Sequence, residues 1–114
     1  MAEPTVFEKI VAREIPAEIV LENERIIAFT DINPKAPMHV LVVPKSPQYR
    51  DVVELAAGDP HLLAEIVQAA QAIARERAEG DFRLVFNTGE LAGQTVFHAH
   101  AHVLAGTLGE DSLA

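Results

Sequence analysis

Phe97-His98-Ala99-His100-Ala101-His102-Val103-Leu104 alternates with period two. On an extended chain this puts three imidazoles on one face and small or apolar side chains on the other. The pattern predicts a strand from Val96 to Leu104 in a sheet with one buried face. With 5 histidines in 114 residues, a three-histidine alternation arises by chance in roughly one sequence in a hundred. A lone strand histidine is usually a satisfied polar group on a wet face, but three together call for another explanation. Metal ligation is one. Same-face neighbours on a strand lie about 6.6 Å apart and the outer pair about 13 Å, whereas zinc needs its nitrogens about 2 Å from one point. Two adjacent imidazoles can converge on a metal; all three cannot easily do so. A phosphate flanked by a nucleoside and a leaving group is extended enough to meet three histidines. Imidazole titrates near neutrality, so it can be nucleophile, acid or hydrogen-bond donor without a metal.

The segments on either side complete a sheet. Phe82 to Asn87 reads as a strand, joined to the histidine strand by a glycine-punctuated loop from Thr88 to Gln94. Upstream, Ala17 to Glu22 and Arg25 to Thr30 flank Asn23-Glu24 as a hairpin, and His39 to Val43 is a further, largely buried strand. The two prolines in Asp31 to Pro37 make that stretch irregular, so Asp31 and His39 bracket one loop. Val6 to Arg13 has the apolar spacing of a short helix that Pro16 stops. Pro60 to about Glu79 is the long helix, with Asp59 as its cap, Gly80 as its stop, and a core stripe of Leu63, Ile66, Val67, Ala70, Ile73 and Ala74. The expected fold is α+β: five strands, one long and one short helix, in a single domain covering residues 1–114.

Composition narrows the partners. Against 9 Lys and Arg stand 17 Asp and Glu, a formal charge of −8, which repels a polyphosphate backbone. Nucleic acid is not expected as a partner. There is no cysteine, so neither disulfides nor thiolate metal sites arise. The start, Met1-Ala2-Glu3-Pro4, is neither basic nor followed by a long apolar run and does not read as a secretory signal, so the cytoplasm, with no membrane partner, is the expected setting.

Gly93-Gln94-Thr95-Val96-Phe97-His98-Ala99-His100-Ala101-His102-Val103-Leu104 resembles the signature of the histidine triad superfamily. Ile10 to Ala17 and the run Ala28 to His39 are similar to its nucleotide-binding, nucleoside phosphoramidase branch. The resemblance spans about Val6 to Leu104, in order. It implies a five-stranded antiparallel sheet and a homodimer that joins two sheets. It also implies hydrolysis of the P–N bond of purine nucleoside phosphoramidates, such as AMP-lysine or AMP-NH2, through a nucleotidyl-histidine, without a cofactor. The expected ligand is a purine nucleoside monophosphate or its phosphoramidate.

By the same resemblance His100 is the nucleophile, with His98 and His102 as supporting neighbours, and His39 lines the phosphate site; the chemistry alone calls for a neutral His100 with a protonated neighbour and loop N–H groups on the phosphate oxygens. Asp31 accepts hydrogen bonds from the ribose hydroxyls, a role suited to a carboxylate, and Ile32 touches the base. Without the resemblance Asp31 is a turn residue. Asn87 and Thr95 contact the phosphate and the departing group, and Gly93 and Gln94 belong to a loop whose backbone amides face an anion. The sequence departs from the family pattern in three places. Thr95 stands where serine is common, which adds a methyl beside the leaving group. Phe7 and Glu8 lie where some bacterial relatives carry zinc-binding cysteines, so no metal is expected. The tail from Ala105 to Ala114 lacks the Trp-Pro-Pro-Gly ending of many members. The rival readings are a dinucleoside polyphosphate hydrolase, a nucleotide-binding adaptor with incidental hydrolysis, and a metal-binding sheet.

Overall fold

The computed structural model describes residues 3–109. The first two residues and the tail from 110 onward, including half of the stretch that departs from the family ending, lie outside the described residues.

Five antiparallel strands form one sheet: β1 (Ile19–Glu22), β2 (Ile26–Thr30), β3 (Met38–Pro44), β4 (Arg83–Val85) and β5 (Ala101–Ala105), in spatial order β1-β2-β3-β5-β4. The histidine strand β5 is therefore interior, between β3 and the edge strand β4. The β1–β2 turn needs no glycine because the Asn23 side-chain oxygen accepts the N–H groups of Arg25 and Ile26, both at 2.9 Å.

Both faces of the sheet are covered, by different elements. On one face Ile26, Ala28, Val40, Val42, Ala101 and Val103 pack against Leu62, Ile66, Ala69, Ala70 and Ile73 of the long helix α3 (Pro60–Arg77). On the other face Ile27, Phe29, Leu41 and Val43 pack against Phe7 and Ile10 of α1 (Val6–Val11). Because α1 has only six residues, it covers only part of that face, and the histidines emerge beside it.

The expected sheet and long helix are present, with three differences of detail. A second short helix, α2 (Val52–Gly58), precedes α3; Asp51 caps it, and Leu55 is its only buried residue. The buried stripe of α3 is rotated from the expected one: Leu62 and Ala69 are inside, while Val67 is 40% exposed. The adjacent alanines Ala69 and Ala70 share one core cluster with Ala28, Ala99 and Ala101, small side chains that suit a close approach of helix and sheet. Finally, β5 begins at Ala101, not Val96. The partner strand ends at Pro44, which has no N–H to give to a ladder. Upstream of Ala101 the chain bonds elsewhere, Ala99 N–H donating to Tyr49 O at 2.9 Å.

No helix among the described residues is long and apolar enough to cross a membrane.

Candidate active site

The face assignment read from the alternation survives the loss of regular strand. His102 lies opposite Leu41 and His39 opposite Leu104 in the β3–β5 ladder, which places both imidazoles on the α1 side of the sheet. Ala99, Ala101 and Val103 belong to the core under α3. His98 and His100 continue the row toward α1, where Phe7 turns its edge to both, at 5.8 and 4.9 Å between ring centroids. His100 stacks edge-on to His102 at 5.1 Å, and His102 sits 5.2 Å from His39. The result is a line of three imidazoles in ring contact, His39, His102 and His100, with His98 joined to it through Phe7.

Their hydrogen bonds fix their protons. A carbonyl can only accept, so the 2.8 Å contact between His100 Nδ1 and His98 O places hydrogen on Nδ1 and leaves a lone pair on Nε2. His98 donates Nε2–H to Pro44 O at 2.7 Å, the carbonyl of the residue that ends the ladder. Its Nδ1 is buried without a hydrogen-bond partner. At the other end of the row, Lys35 N–H donates to His39 Nδ1 at 3.0 Å, so a neutral His39 carries its hydrogen on Nε2 and donates it to His102 Nδ1, 2.9 Å away. His102 then keeps hydrogen on Nε2 as its remaining donor. Nucleophile-type and donor-type nitrogens thus alternate along the row, set by main-chain groups at both ends.

Burial is the main cause that pulls all four histidines below their ordinary range, and it takes His102, which also faces His100 and His39, down to about 4. In the free protein burial thus works against the protonated neighbour expected for His100. Two results follow. The acid limb of kcat/KM is expected below the ordinary histidine value near 6.5, so a pH–rate profile loses activity on the acid side later than an unperturbed imidazole would. Stability moves in the same window: the unfolded chain takes up protons near 6.5 and the folded one only lower, so Tm drops steadily from about pH 6.5 to 4, which thermal unfolding at several pH values measures.

Asp31 closes the site from the β2 end. Its Oδ1 accepts Asn33 N–H at 2.8 Å, and its Oδ2 lies 3.5 Å from His39 Nε2. Turn residue and site residue are one and the same. With His39 neutral, the second contact is polar rather than an ion pair. Asp31, His39, His102 and Asn87 line a cleft of about 180 Å³ together with Lys35, Val85 and Leu104. Just beyond β5, Gly106 lets the chain pass close to Pro37 of the same loop: its φ is +125° and Pro37 Cδ lies 2.6 Å from where a Cβ would stand, so no other residue fits. Ile32 is 88% exposed beside Asp31.

The 88–95 loop differs from expectation. The N–H groups of Gly93 and Gln94 donate to Glu90 O and Gly89 O, so neither faces an anion. The Gln94 side chain is 3% exposed; it donates to Arg50 O and Val96 O and accepts Gly89 N–H. It fastens the loop to the segment before α2 instead of facing a ligand. Thr95, next to it, is exposed. Sequence reading also missed Phe7, which walls His98 and His100, and Lys35; the offset of Lys35 by four from His39 was the only signal.

Asp31, His39 and His102 bring three potential ligand atoms within 4.8 Å of one another. The donor set argues against a metal there. Lys35 N–H occupies His39 Nδ1, so Nε2 must hold hydrogen and has no lone pair to give. Ligation would cost the hydrogen bonds at both nitrogens.

A family model described as the C-terminal binding region of the scavenger mRNA decapping enzyme matches residues 4–112. The purine nucleoside phosphoramidase of Escherichia coli is 41% identical over 110 residues, covering 93% of this chain and 90% of that protein. An uncharacterised HIT-like protein of Synechocystis is 48% identical with 93% of each covered. Among solved structures, a HIT family hydrolase from Clostridium thermocellum superposes with a TM-score of 0.90 at 44% identity, over 99% of this chain and all (100%) of that one. With a neutral imidazole row on the sheet face, and relatives of this similarity over nearly its whole length, the chain belongs to the histidine triad superfamily.

Proposed function

We propose that this chain is a cytoplasmic, single-domain hydrolase that cleaves the P–N bond of purine nucleoside phosphoramidates, with His100 as nucleophile. The observation that carries the reading is the 2.8 Å bond from His100 Nδ1 to His98 O. It holds the ring in the tautomer whose Nε2 lone pair attacks. The similarity to the Escherichia coli purine nucleoside phosphoramidase supports the substrate class.

In the first half-reaction Nε2 bonds to phosphorus as the P–N bond breaks, and the departing nitrogen takes a proton from solvent to leave as the amine, a proton that the water of the second half-reaction returns. In the second, water attacks phosphorus and the histidine departs. Net, one water is consumed: its hydroxyl ends on phosphorus and its other hydrogen on the amine. His102 Nε2–H, oriented through His39, donates to a phosphoryl oxygen as charge develops, Asp31 receives the ribose hydroxyls, and Ile32 offers an apolar surface to the base. Asn87 and Thr95 meet the phosphate and leaving group. No step calls on a metal. The enzyme works as a homodimer that joins two sheets, for which β4, half-buried along all three residues, is one of the two edge strands.

Incubation with an adenosine phosphoramidate and with a diadenosine polyphosphate, each with and without EDTA, tests the reading. The phosphoramidate is cleaved at an unchanged rate in excess EDTA. Loss on chelation with recovery on zinc restores the metal reading, and faster cleavage of the polyphosphate transfers the assignment to that class.

A further inference from the structure

A chain of net charge −8 repels an anionic ligand at long range, and the residues that meet the phosphate are neutral imidazoles with ordinary dipoles. Among the described residues lining the cleft, one bears a positive charge, Lys35. It lines the cleft together with Asn87 and His102 and belongs to the same loop as Asp31. Its main-chain N–H is the group that sets the His39 tautomer, so the loop conformation that orients His39 also fixes the base of the Lys35 side chain. The ammonium is within electrostatic reach of that ring, since its charge is one of the influences on His39.

From this arrangement we propose that Lys35 is a specificity-determining residue: its ammonium supplies the positive charge by which the cleft takes a nucleotide carrying phosphate in preference to the bare nucleoside. This rests on the nucleotide reading above and deepens it. Lys35 is exposed, so its contribution is partly screened and amounts to a modest factor rather than the whole affinity. It also explains how an acidic protein can bind an anion with a site of neutral histidines: the attraction is local and short-ranged, while the far field stays negative.

Titration calorimetry of the full chain with AMP and with adenosine tests this, on the wild type and on Lys35→Arg, Lys35→Gln and Lys35→Glu, at low and at high salt. Lys35→Gln is expected to bind AMP roughly five- to tenfold more weakly and Lys35→Glu more weakly still, with adenosine within twofold throughout and Lys35→Arg close to wild type. Salt weakens AMP binding to the wild type more than to Lys35→Gln. Equal weakening of AMP and adenosine means that the substitution disturbs the loop and overturns the proposal, as does unchanged AMP affinity in Lys35→Glu. Failure of the wild type to bind AMP at all is a different result. It removes the nucleotide reading itself, and the role of Lys35 with it.

Discussion

His100→Ala loses phosphoramidate turnover by about a thousandfold or more while AMP affinity stays within a few-fold of wild type. The substitution deletes the one imidazole in the row whose Nε2 is unengaged and whose Nδ1–H is fixed on a carbonyl. It leaves Asp31, Lys35, Asn87 and His102, which line the cleft. Truncation also opens a void against Phe7, whose ring centroid lies 4.9 Å from that of His100, so some loss of Tm accompanies it. His100→Asn separates the two effects. Its carboxamide can still donate to a carbonyl and fill part of the space, but it has no ring nitrogen to attack phosphorus. Equal loss of turnover in both variants, with a smaller drop in Tm for Asn, is the expected pattern. Turnover above a few per cent of wild type in either variant moves the nucleophile elsewhere.

How much of this could be read in advance depends on whether the determining contacts are local. The alternation of His98, His100 and His102 was legible because it needs only period two, and it persists even where the chain leaves the ladder. The point of departure was not legible: it is set by Pro44 on another strand, whose carbonyl goes to the His98 ring. The helix Val52–Gly58 escaped because Leu55 alone anchors it, and one buried residue makes no period. Gln94 read as a ligand-facing residue because its partners Arg50 O and Gly89 N–H belong to segments that only the fold brings together. The α3 stripe was misread by one position because the small Ala69, suited to a close helix–sheet contact, shares the core while the larger Val67 does not. Lys35 was passed over for a similar reason. After a proline, a lone lysine looks like solvent-facing loop until Asp31 and His39 are seen to share its cleft.

Asp31→Asn separates turn from ligand at the one residue that serves both. Its two oxygens have different duties: Oδ1 accepts Asn33 N–H at 2.8 Å, and Oδ2 lies 3.5 Å from His39 Nε2, facing the cleft. Asparagine keeps an oxygen for the turn, where it is nearly as good as aspartate, so Tm should hardly move. The other position becomes an NH2 group, which can no longer accept from a ribose hydroxyl and sets a donor beside the His39 Nε2–H. Charge-assisted hydrogen bonds contribute about 1.5 to 3 kcal/mol each, so kcat/KM for a ribonucleoside phosphoramidate is expected to fall roughly ten- to a hundredfold. The matched deoxyribose substrate, with fewer hydroxyls to lose, falls less. Both substrates on both proteins form a double-mutant cycle, in which the disturbance of His39 is common to the two substrates and cancels. What is left is the coupling between the carboxylate and the ribose. A coupling of zero removes Asp31 from the ribose site and leaves it a turn residue alone; a substantial coupling with an unchanged Tm assigns Oδ2 to the ribose and Oδ1 to the turn.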